Sequence, residues 1–162
     1  MAHPLVTEAV KKAAIAWIDG RAVWCAWVGD ALYVVTGGGE QEAPALAAGA
    51  TVPVTLRGDH GGRIVTWPAA VSTVDPAGEE WSTVAPQLAG KRLNASGGPT
   101  ETAERWAAHS TVYALREAAP PLEAGETLPQ TSLAEPPRPS EAARATKRPF
   151  RLHRVRKPPK PS

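Results

Sequence analysis

Apolar residues in the first two thirds of the chain fall in short runs bounded by glycine and aspartate, a spacing that predicts strands joined by tight turns. After a short helical start around residues 5–13, residues 14–18 lead through Asp19-Gly20 into 22–28. Asp-Gly tolerates positive φ and therefore favours a hairpin. The run Val23-Trp24-Cys25-Ala26-Trp27-Val28 is apolar on both faces of an extended chain and so predicts a central strand covered on both sides. Gly29-Asp30 marks the next turn, and 31–36 the next strand, ended by Gly37, Gly38 and Gly39. Residues 51–57 alternate, with Val52, Val54 and Leu56 on one face. Pro53, which lacks a ladder donor, favours an edge or a bulge there.

A glycine-rich loop at 58–62 leads to a long extended stretch over 63–74, with an interruption expected at Pro68. Asp75-Pro76 followed by Glu79 and Glu80 predicts a helix start, because Asp caps free amides, Pro suits the first helical position and acidic groups favour the positive end of the dipole. Trp81, Val84 and Leu88 share a face of that helix, and Pro86 should kink or divide it. A second short helix is expected over 100–108 and a last strand over 111–115. Five or six strands with small helices, joined mostly by hairpins, read as an antiparallel barrel.

Composition adds a boundary. The chain has 162 residues, 43% hydrophobic and 21% charged, as in a folded globular protein. Over residues 1–137, nine Lys and Arg stand against fifteen Asp and Glu, net −6, whereas 138–162 holds nine against one, net +8. Ten of the 17 prolines follow Arg116 and all six tryptophans lie at or before Trp106. A folded domain over 1–117 and a disordered, basic, Pro-rich tail over 118–162 are therefore expected, since the tail has too few large apolar residues to offset its ordering entropy. One cysteine, Cys25, excludes a disulfide framework and suits a reducing cytoplasm. No apolar run approaches a membrane span, and no secretory signal opens the chain.

Most catalytic patterns are missing. His3, His60, His109 and His153 are scattered, and neither a zinc motif nor a nucleophile elbow occurs, so no metal site is expected. Cys25 reads as a small buried hydrophobe and the histidines as solvated or capping groups. The informative segment is the strand ending at Thr36 with the three glycines after it: glycines let backbone amides approach a ligand closely and suit an anion or a ring edge. A plain turn accounts for the same residues. No Lys or Arg occurs over 22–56, and Glu40 and Glu42 oppose an anion, so any phosphate there would need Arg57 or Arg63 as well as amides.

The segments Trp24-Cys25-Ala26-Trp27, Tyr33 through Gly39-Glu40-Gln41, and Gly62 through Trp67-Pro68-Ala69 resemble actinobacterial members of the pyridoxamine 5′-phosphate oxidase-like split-barrel superfamily. The likeness covers about residues 5–116, including Gly90-Lys91-Arg92-Leu93-Asn94. It implies a six-stranded antiparallel split β-barrel that forms a homodimer, with FMN or a deazaflavin bound where two protomers meet, and it implies that the apolar strand over 22–28 packs one face on the partner subunit. Thr36 falls where the family places a small hydroxyl residue near the flavin phosphate. The family's basic pair is replaced by Glu40 and Gln41, so the usual phosphate clamp is absent.

Three functions follow as expectations. The first is a flavin- or deazaflavin-binding oxidoreductase with a small-molecule substrate, in which the amides of Gly37, Gly38 and Gly39, the Thr36 hydroxyl, Gln41, and Arg57 or Arg63 bind the cofactor's polar groups and Trp24 contacts its ring or fills the core. The second is a split-barrel dimer without cofactor, serving as a binding or structural protein. The third is an adaptor whose basic tail binds nucleic acid or an anionic surface; a merely solvating tail is the alternative.

Overall fold

The computed structural model describes residues 3–128. Helix α1 (Pro4–Lys12) opens it, capped by His3, whose Nδ1 accepts the Leu5 amide. Strands β1 (Ile15–Ile18), β2 (Arg21–Trp24), β3 (Ala26–Val28), β4 (Ala31–Thr36), β5 (Thr51–Arg57) and β6 (Arg63–Thr73) follow, then helices α2 (Glu79–Lys91) and α3 (Pro99–His109), strands β7 (Thr111–Glu117) and β8 (Glu123–Ala124), and a 3-10 turn. The sheet runs β2-β1-β5-β6-β7-β4-β3, antiparallel throughout. Its two outermost strands, β2 and β3, are consecutive in the chain and separated by Cys25 alone. One continuous run, the predicted 22–28 strand, thus pairs with β1 through its first half and with β4 through its second. The sheet is thereby closed into a nearly complete barrel of six staves, which removes the exposed edges that an open sheet would present.

Alternation along this run sorts the side chains. Val23 and Cys25 point into the barrel with Ile18, Leu32, Val34, Val54, Leu56, Val65 and the fully buried Trp67, and α1 closes that core with Val6 and Val10. Ala26 and Val28 belong to a second core outside the barrel, where Ala31, Tyr33, Val35, Val112 and Ala114 meet Val84 and Leu88 of α2 and Trp106 of α3. Here the structure corrects an expectation: the outer face of the 26–28 segment is covered by the chain's own helices, not by a partner subunit. Strand β4 is the one buried on both faces through most of its length.

Four further local expectations change. Strand β6 runs unbroken through Pro68, and β5 is interior to the sheet despite Pro53. The two prolines face each other across the ladder; the Pro53 carbonyl accepts the Asp19 amide and the Pro68 carbonyl accepts the Ala118 amide. Both peptide groups therefore point away from the shared ladder, so neither missing N–H costs a β5–β6 bond. The bulge comes later, between Leu56 and Arg57. Helix α2 starts at Glu79 rather than Pro76, because Asp75 Oδ1 accepts the Ala77 amide and caps a separate turn. Pro86 does not divide α2; it lies on the exposed side, so the carbonyl its ring leaves unpaired, that of Ser82, is open to solvent.

The chain keeps to the barrel past the expected boundary at Ala118. Leu122 donates to the Thr66 carbonyl, and β8 pairs with the first half of β6, beyond the reach of β7. The remainder of the expected tail, from residue 129 on, lies outside the described residues. Among the described residues no helix is long and apolar enough to cross a membrane, and no three His, Cys, Asp or Glu side chains gather as a metal site.

Candidate functional site

The glycine loop leaves β4 with three successive left-handed residues, Gly37 (φ 77°), Gly38 (φ 59°) and Gly39 (φ 86°), a course that side-chain-bearing residues adopt only at a cost. It is tied at both ends. Gly37 donates to the Gln41 carbonyl, its own carbonyl accepts from the Glu40 amide, and the Ser110 hydroxyl donates to the same carbonyl. At Gly38 an added Cβ would stand 2.6 Å from the His109 carbonyl oxygen, so the loop lies directly against the end of α3. Among the described residues, the amides of Gly38 and Gly39 have no hydrogen-bond partner.

The side chains after the loop are spent on the fold in an unexpected way. Gln41 Oε1 accepts the Trp24 amide at 2.6 Å and its Nε2 donates to the Trp24 carbonyl at 2.7 Å. A side-chain amide thus serves as a one-residue ladder partner where β2 passes into β3. Glu40, with its carboxylate 9% exposed, accepts from Trp106 Nε1 at 3.0 Å and from Arg92 Nε at 3.1 Å. The Arg92 guanidinium lies 5.4 Å from the Trp24 ring centre, and Trp24 and Trp106 meet at 6.5 Å with a 40° tilt. Glu40, expected only to repel an anion, therefore anchors a cluster of two indoles and a guanidinium, its charge balanced by Arg92.

A polar cleft of about 310 Å³ opens beside this cluster, lined by Gly38, Gly39, Glu40, Arg92, Asn94, Ala95, Ser96 and Arg105. The volume falls in the lower range of small-molecule sites. Arg105 donates one hydrogen bond, to the Ser96 carbonyl at 3.0 Å, and Arg92 uses a second donor on the Leu93 carbonyl. Arg92, Arg105 and Trp106 are residues that the strand-based reading passed over. The signal available was the Lys91-Arg92 pair followed by Asn94-Ala95-Ser96-Gly97-Gly98, a basic pair running into a turn that returns the chain to the glycine loop.

Of the eight residues expected at a cofactor, Trp24, Thr36, Gly37, Gly38, Gly39 and Gln41 lie at one end of the barrel. Arg57 and Arg63 lie at the other: Thr36 pairs with Thr111, near the last residues of β6, whereas Arg63 begins β6. Eleven residues of strand separate these ends by roughly 33 Å along the chain. Arg57 closes its own loop by donating to the Gly61 carbonyl and lies 4.9 Å from the Trp17 ring centre; Arg63 pairs with Glu123 at 3.3 Å. Cys25 is buried and its thiol is pushed up to about 12 by desolvation, so it stays neutral and unreactive at physiological pH.

A second groove, about 340 Å³, lies between β4 and α2 and includes Asp30, Tyr33, Glu79, Glu80 and Arg116. Tyr33 donates to Glu80 at 2.7 Å and Arg116 pairs with the same carboxylate at 2.8 Å. The Tyr33 hydrogen bond, with help from Arg116, holds the Glu80 carboxyl below its usual 4.5, while burial and the neighbouring carboxylate raise the Tyr33 phenol. A lowered carboxyl contributes stability that is present above the ordinary carboxylate range and lost as pH falls through it. Denaturant midpoints measured from pH 7 down to pH 3 should therefore fall less steeply in Glu80→Gln than in the parent protein, and parallel curves would count against this network.

Gln41→Leu should lose about 1–3 kcal/mol of stability, because two half-buried backbone groups of Trp24 lose their partner. Equilibrium urea unfolding checks it; an unchanged midpoint would mean that the clasp carries no weight.

No protein-family model and no curated protein matches the sequence. Among solved structures, the flavocytochrome Anf3 from Azotobacter vinelandii is similar over 93% of this chain and 87% of that chain, with 14% sequence identity and a TM-score of 0.44. Similarity at that level assigns no residue of this site.

Proposed function

We propose that the protein is a flavin- or deazaflavin-binding split barrel of the pyridoxamine 5′-phosphate oxidase-like kind, a cytoplasmic homodimer serving oxidoreductase chemistry on a small molecule. The observation that supports this reading is the cleft at the glycine end of the barrel, where two unpaired backbone amides border a polar space of ligand size. Amides held by a rigid turn suit the phosphate of a mononucleotide, since they need no reorganisation to meet it. The bound ring would supply the hydride chemistry, and the chain's part is to bind and orient it. Trp24 does not offer a bare face for stacking, being flanked by Arg92 and Trp106; its part is to brace the loop from behind through Gln41.

A different observation favours a second reading, a barrel without cofactor that serves as a binding or structural dimer: Trp24 and Gln41 are already committed within the fold. The third, anion binding through the basic tail, concerns residues outside those described. Incubation of the purified protein with FMN or a deazaflavin, followed by gel filtration, separates the first two. A visible chromophore eluting with the protein is the expected result, and a colourless protein after loading with either compound would leave the second reading in place.

A further inference from the structure

We propose that the cleft between the glycine loop and α3 is a phosphate-monoester site in which Arg105 and Arg92, both from the helical layer, supply the positive charge that the strands lack. It rests on the reading above for the identity of the rest of the ligand, but the anion-binding chemistry stands on the residues themselves. A guanidinium carries five N–H donors. Among the described residues Arg92 spends two of them, on Glu40 and the Leu93 carbonyl, and Arg105 spends one, on the Ser96 carbonyl. Seven donors are left on two groups that border one cleft, together with the amides of Gly38 and Gly39.

The charges point the same way. Glu40 is the one carboxylate lining the cleft, and it is paired with Arg92 and with the Trp106 indole. Arg105 has no carboxylate partner among the described residues, so the lining carries one positive charge in excess. The Glu40 pair also fixes Arg92: its guanidinium is held against the Trp24 ring, with the side chain 31% exposed. An arginine already held in place loses less side-chain freedom on meeting an anion than one that is free. Asn94 and Ser96 add an amide and a hydroxyl to the same wall.

Calorimetric titration of the full chain with FMN, riboflavin and inorganic phosphate tests this, repeated on Arg105→Glu and Arg105→Gln. Arg105 holds one carbonyl on the surface, so both variants should unfold at the parent's temperature, and a scan confirms it. FMN should bind the parent protein more tightly than riboflavin, and Arg105→Gln should weaken FMN about tenfold to a hundredfold while leaving riboflavin unchanged. Arg105→Glu should abolish the difference between the two ligands. Phosphate binding that is lost in Arg105→Glu, with neither FMN nor riboflavin bound, would uphold the anion site and overturn FMN as its ligand. Equal binding of FMN by all three proteins, or no binding of FMN and phosphate by the parent, would overturn the site.

Discussion

Trp106→Ala should remove about 3–5 kcal/mol of folding stability, a large part of what a domain of this size has to lose. Trp106 is fully buried in the core between α2, α3 and the outer face of β4, where it meets Trp24. Its removal opens a cavity of indole size under both helices. It also strips Glu40 of one of its two partners, in a carboxylate that is 9% exposed. An acceptor left in that position adds its own desolvation penalty. Trp106→Phe falls between, since it keeps part of the ring packing and loses the N–H together with the volume of the second ring. Urea unfolding of the three proteins should rank parent, Phe and Ala in descending order, and an alanine variant within about 1 kcal/mol of the parent would show that this layer is not the structural support it is taken to be.

Gly38→Ala should be the second costly change, at about 3 kcal/mol or more, and Gly39→Ala should cost only about 1–2 kcal/mol. Both residues have positive φ, so both variants carry the left-handed penalty. They differ in surroundings: at Gly39 an added Cβ meets nothing within 4 Å, whereas at Gly38 it meets the His109 carbonyl and the Ser110 hydroxyl, each at 2.6 Å. Backbone cannot swing aside as a long side chain can, so the loop or the end of α3 must shift. Thermal unfolding of the pair measures that contact by difference. Equal losses would mean that the loop does not lie against α3 as described.

The barrel was largely legible because its signals are local. Asp19-Gly20 adopts the positive φ values that a tight hairpin requires, at 48° and 76°, and alternation in β5 sent Val52, Val54 and Leu56 inward. The two-faced apolar run over 22–28 predicts one central strand; it folds instead as β2 and β3 with a break at Cys25, only its second half is covered by the helices, and local pattern says nothing about what does the covering. That depended on α2 and α3 folding back, a long-range fact. The prolines misled for a related reason. Whether a missing N–H matters depends on which neighbour it would have faced, and at Pro53 and Pro68 the groups face away from their common ladder.

The candidate site was half legible. Three glycines after a strand announce a special backbone, and Gly37, Gly38 and Gly39 take it. Sequence distance is not spatial distance: Arg57 and Arg63 follow the loop in the chain, yet they lie at the opposite end of the barrel. Arg92 and Arg105 come more than fifty residues later and line the same cleft as Gly38 and Gly39. Glu40 looked like an obstacle to an anion; two hydrogen-bond donors neutralise that objection. Gln41, a residue expected at the cofactor, has both ends of its side-chain amide on the Trp24 backbone.

On the function proposed above, the glycine end of the barrel receives a phosphate-bearing flavin. Equilibrium titration of the protein into FMN, followed by flavin fluorescence and repeated with excess inorganic phosphate as competitor, tests it most directly. Saturation at one flavin per chain, reversed by phosphate, is the result expected; fluorescence that stays unchanged up to millimolar protein would contradict it.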